Sequence, residues 1–150
     1  MTIADVRLGL VAYLYADRGI SLLVDGHVAR SLGGKRIFPM KLQQGIAKPS
    51  IVYQRISGQG DHHMQGPSGL NRIRMQIDCW ASSADIANDL ANRVKSRIDG
   101  FRGSMTWGDA SPEDAIVVQG IFFDSERDLY DDAVKLYAVS RDYLIWYEEA

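Results

Sequence analysis

Cysteine is almost missing: Cys79 is the only one in 150 residues. Neither an internal disulfide nor a cysteine-based zinc site can be assembled from a single thiol. That usage suits a reducing compartment. Proline is scarce too, at 4 residues, and no repeat or low-complexity segment appears. No apolar run approaches the ~20 residues a membrane-spanning helix requires. Asp5 and Arg7 interrupt what would be the apolar part of a secretory leader. The expectation is a chain made in the cytoplasm with no membrane partner. Charge of one sign is lacking as well. Lys and Arg number 17 against 19 Asp and Glu, a net −2, so there is no bulk electrostatic case for specific nucleic-acid binding. No phosphate-binding glycine loop and no nucleophile elbow occurs.

What is present suits a single domain, 1–150, with 46% hydrophobic and 24% charged residues. Thr2 and Asp5 have the spacing of a capping box, and Ile3, Val6, Leu10, Tyr13 and Leu14 recur at helical spacing. A first helix is expected over about 3–16, with one more short turn at 20–24. "SLGGK" at 31–35 reads as a turn. "RIFPMKL" reads as a short extended piece that Pro39 confines to an edge. Strands are expected at 50–57 and 71–81. In the second, Ile73, Met75, Ile77 and Cys79 alternate with Arg72, Arg74, Gln76, Asp78 and Trp80, the mark of a half-buried antiparallel strand. Ser82 and Asp85 form a second capping-box pattern before Ile86, Leu90, Val94 and Ile98, predicting a helix over 83–99 closed by Asp99-Gly100. Residues 115–130 and 133–149 read as a final hairpin, with the acidic stretch 124–132 as its solvated bend. Together these give an α+β fold: a mostly antiparallel β-sheet with two α-helices packed on one face.

The segment "ISGQGDHHMQGPSGL", 56–70, holds the densest potential chemistry and reads as a long polar connection between two strands. Asp61-His62-His63 carries the letters of a metal-dependent phosphoesterase signature. Adjacent histidines in extended chain point in opposite directions, however, and "MQGPSG" cannot continue as a helix. A surface loop is the plainer reading. Cys79 alternates with the apolar face as a small buried hydrophobe. The residues specify no catalytic, metal or cofactor site.

"PSIVYQRISG", "GPSGLNRIRMQIDCWA", "RIDGFRG", "VVQGIFFDSERDLYD" and "LYAVSRDYLIWY" follow one another along the chain. In that order they resemble the tail completion, or tail terminator, proteins of long-tailed bacteriophages and gene transfer agents. The resemblance spans about residues 3–147. It implies a structural, non-enzymatic assembly protein in the neck region of a virion tail, made in the bacterial host cytoplasm. Its partners would be copies of itself in a homo-hexameric ring, the tail tube protein, and the head–tail connector or neck proteins. The ring would cap the head-proximal end of the tube, stop its growth and offer the surface that joins the head, and DNA would pass through it. On this reading Gln59, Asp61, His62, His63 and Gln65 form a docking loop for the tube or another partner. Arg72, Arg74 and Asp78, with Asp124, Glu126 and Asp128, supply the two charged surfaces of the subunit interface, the acidic stretch meeting a neighbour's basic patch. The alternatives are a head–tail adaptor and a small phosphoesterase using Asp61, His62 and His63.

Overall fold

The computed structural model describes residues 6–24, 36–41, 49–105 and 116–148. Three helices and six strands lie within them: α1 Val6–Ala16, α2 Arg18–Val24, β1 Ile37–Pro39, β2 Ser50–His63, β3 Gly66–Ala81, α3 Ala84–Ile98, β4 Gly103–Met105, β5 Ile116–Asp131 and β6 Leu136–Glu148. The strands form one sheet in the order β1-β2-β3-β6-β5-β4. Neighbours are antiparallel except β1 and β2, which run parallel. The α+β class holds, with three helices in place of two, because "RGISLLV" forms its own short helix after Asp17. The expected Thr2–Asp5 cap and the "SLGGK" turn lie outside the described residues.

The period-2 pattern of β3 determines which face is covered. Ile73, Met75, Ile77 and Cys79 are all buried, and β6 sets Ile145, Tyr143, Arg141 and Val139 beside them on the same face. α3 covers this face with Ala87, Leu90, Ala91, Val94 and Ile98, a stripe at three- and four-residue steps. Its start is one residue later than the sequence pattern suggested: Ser83, not Ser82, is the N-cap, and its hydroxyl accepts from the Ile86 amide at 3.3 Å. The helix ends on Gly100, whose φ of +80° suits glycine. The chain leaving it is tied to β5: Gly100 N–H donates to the Ile121 carbonyl (2.8 Å), Ile121 N–H to the Phe101 carbonyl (3.1 Å), and Phe123 N–H to Asp99 Oδ1 (3.0 Å). Phe101 then turns back onto Tyr13 of α1, centroids 4.5 Å apart. A short turn thereby joins α3, α1 and the sheet edge.

α1 approaches β4 so closely that a Cβ on Gly9 would lie 2.9 Å from that of Met105. No side chain fits there without displacing the helix. Leu10, Leu14, Ile20 and Val24 complete the core beneath the helices, each side chain's burial worth roughly 1.5–3 kcal/mol.

One cation lies inside this layer. Arg141 is 7% exposed, and its Nε donates to Glu126 Oε2 at 2.7 Å while Nη2 donates to Asn92 Oδ1 of α3 at 2.9 Å. Arg141 thus reaches from β6 to its hairpin partner β5 and to the helix above.

Three expectations follow from this packing. Gly9→Val should lower stability by about 1–3 kcal/mol through overpacking, read as a lower urea midpoint with an unchanged slope. Arg141→Ala should cost more than Arg141→Met in the same assay, because Met keeps the apolar stem that fills the layer. Burial also pushes the Cys79 thiol pKa well up from its ordinary 9.0. The folded chain therefore keeps this proton where the unfolded chain releases it, and stability falls as pH rises above about 9. Cys79→Ala should flatten that alkaline decline, and native Cys79 should resist iodoacetamide until the protein unfolds.

Candidate assembly surfaces

The 56–70 segment is not a loop. β2 continues through it to His63 and β3 begins at Gly66, so Met64 and Gln65 alone make the turn. Its polar, glycine-rich composition has low strand propensity, and that is why it reads as a connection. Pairing along the partner strand overrides the propensity. The register shifts between Arg55 and Ser57 and again between Gly60 and His62, and these bulges absorb the irregular residues. Gly66, at φ +130°, takes a conformation closed to other residues. The result is a two-stranded arm that extends past the last β6 residue paired to β3, Glu148 opposite Leu70.

Every residue from Arg55 to Gln65 is exposed, and Met64 at the tip has its whole side chain in solvent. Asp61 is held by Ser68 across the arm, whose hydroxyl donates to Oδ2 at 3.0 Å. His63 Nδ1 accepts from the Gln65 amide at 3.1 Å and braces the turn. His62 and His63 are successive strand residues and so project to opposite faces. No group of three or more His, Cys, Asp or Glu side chains that could hold one ion occurs among the described residues. Asp61, His62, His63 and Gln65 thus lie on the projecting part of the arm, with the two histidines on opposite faces, whereas Gln59 stands opposite Arg72 within the sheet.

The charged residues divide between the two faces of the sheet. Arg72, Arg74 and Asp78 lie on the face away from the helices, as expected. Asp124 joins them there, because the register shift between Phe123 and Ser125 turns it outward. Arg74 Nη1 reaches Asp124 Oδ2 at 2.6 Å and Asp142 Oδ2 at 3.2 Å within the same subunit. The hydrogen bond to Asp124, then that to Asp142, raises the pKa of this guanidinium further. Arg127 donates to Gln76, which donates to Asp78. Glu126 and Asp128 instead sit on the helix side: Glu126 pairs with Arg141, and Asp128 stands opposite Val139 beside the start of α3. The acidic stretch is therefore strand rather than bend, and the turn of this hairpin is 132–135.

Sequence pattern alone does not reveal one further surface. At the Glu148 end of the outer face, Phe122 is 52% exposed and lies with Trp146 and Gln119 around a shallow apolar hollow. The Arg72 guanidinium is stacked 4.9 Å from the Trp146 ring. Only the strand register places residues 72, 122 and 146 side by side.

No curated protein matches the chain. Among solved structures it is similar to a chain of a native gene transfer agent virion particle, with a TM-score of 0.65 and 11% identity over 93% of this chain and 91% of that one. At that identity the likeness concerns the fold. The sequence itself matches the family described as Tail completion protein gp17 over residues 21–148, most of its length, and the chain belongs to that family.

Proposed function

We propose that this protein is a structural virion component that caps the head-proximal end of the phage tail tube as a homo-hexameric ring, ends tube polymerisation and provides the head-joining surface. Family membership carries the reading. The exposed β2–β3 arm supplies a physical means. A cap must grip the last layer of tube subunits without presenting another tube-like layer, and a projecting two-stranded arm with a polar tip can do so. The arm is already ordered, so docking costs less conformational entropy than ordering a loose loop. Gln59, Asp61, His62, His63 and Gln65 would make its polar contacts, and Met64 an apolar one.

Arg72 and Asp78 remain candidates for the ring contact. Arg74 and Asp124 already satisfy each other within one subunit, so a charge reversal at Arg74 acts first on the fold. It would place a third carboxylate beside Asp124 and Asp142. Arg72→Glu is the cleaner probe of assembly.

Two outcomes test this function. In a lysate whose phage lacks the gene, electron microscopy should show overlong, headless tails that return to uniform length on complementation. Normal-length tails that fail to join heads would favour an adaptor role, and intact infectious particles would refute both. Replacing residues 59–65 with Gly and Ser should abolish length control while shifting the thermal midpoint by less than about 5 °C, since these side chains lie outside the core. Retained length control would remove the arm from the mechanism.

A further inference from the structure

The sheet contains six strands, yet the two hydrogen-bonded rows near its ends each cross five. One row runs Ile37–Ile51–Cys79–Val139–Asp128 and has no β4 residue. The other runs Gly60–Asn71–Tyr147–Val118–Gly103 and has no β1 residue. Short β1 lies against β2 only at Ile51–Tyr53, and short β4 against β5 only at Ile116–Val118. Each edge of the sheet is therefore a step, and the steps face opposite ways. Beyond Tyr53, no described strand covers β2. Beyond the contacts of Ile121 and Phe123 with the end of α3, none covers β5 from Asp124 to Asp131.

We propose that the two stepped edges interlock between neighbouring copies of this chain, β1 of one entering the notch beside Asp124–Asp131 of the next, while β4 of that copy enters the notch beside Gln54–His63 of the first. This rests on the ring reading above and specifies its contact. Strand direction follows from the topology. β2 and β5 are separated by three antiparallel steps, so β1 meets the neighbour's β5 antiparallel and β4 meets the neighbour's β2 parallel. The outlines match in extent, because the row that lacks β4 holds β1 and the reverse.

Long open edges otherwise invite indiscriminate pairing, and a stepped edge limits where a partner can sit; on the open side of β1 only Ile37 has an N–H to donate, since Pro39 has none. The contact is heterologous, with different edges meeting, so each copy keeps one edge of each kind until a ring closes.

Cysteine cross-linking tests this. Phe38, Val52, Asp78, Ser140 and Arg127 share one row. Phe38 and Arg127 thus lie on the same face, at opposite edges of one subunit and opposite each other between copies. Phe38→Cys with Arg127→Cys should convert most of the chain to a ladder of disulfide-linked multimers on mild oxidation, both as purified protein and in isolated tails. Ser104→Cys with Asp61→Cys should do the same through the other notch in the purified protein, where both positions are exposed and the docking contact proposed for Asp61 plays no part. Native Cys79, 1% exposed, stays out of reach of the oxidant.

Efficient cross-linking by Arg127→Cys or Asp61→Cys alone would mean that like edges meet, and would overturn the proposal. Monomeric bands from both pairs in the purified protein, and from the first pair in tails, would overturn it too. Ladders from a protein whose loss leaves tail length normal would uphold the edge contact and remove the capping role, so the two readings fail separately.

Discussion

The unbroken register between β3 and β6, from Leu70 opposite Glu148 to Ala81 opposite Tyr137, is the constraint on which the rest of the molecule depends. No bulge interrupts it, whereas both outer hairpin pairings slip twice. A regular central pair keeps Ile73, Met75, Ile77 and Cys79 level with Ile145, Tyr143, Arg141 and Val139. A slip of one residue would turn that whole set to the solvent face. Because this seam is straight and buried under α3, the outer strands can bend, twist and project without loss of the core.

The two faces of the sheet consequently have different tasks. The helix-covered face holds the apolar core, with buried Arg141 tied to Glu126 and Asn92. The opposite face holds a polar network in its centre, Arg74 with Asp124 and Asp142 and Gln76 with Asp78 and Arg127, and an apolar end at Phe122 and Trp146. The more exposed of these ion pairs, Arg74 with Asp124, contributes little to stability on its own. Their effect is rather to hold the outward surface in one arrangement.

Much of this was legible from residues alone, for a specific reason. β3 alternates cleanly, α3 keeps a four-residue apolar step behind a serine cap, and Gly100 marks its end, so local pattern and tertiary structure agree there. The 56–70 arm and the acidic stretch of β5 were not legible. Glycine and aspartate are poor strand formers, and a strand exposed on both faces carries no hydrophobic period to announce it. Pairing with β3 and β6 alone makes them strands.

The order of apolar and polar residues by itself determined the fold class, the buried face of the central strand and the position of the long helix, because burial acts on side chains at fixed periods along the chain. Tertiary structure decided everything that requires residues distant in sequence to meet. It folded Asp61, His62 and His63 into an arm, gave Arg74 its partner fifty residues away, and placed Phe122 beside Trp146. It also left β1 and β4 too short to cover the strands they flank. Sequence periods cannot encode that last feature, since an edge is open or covered according to which strand lies beside it.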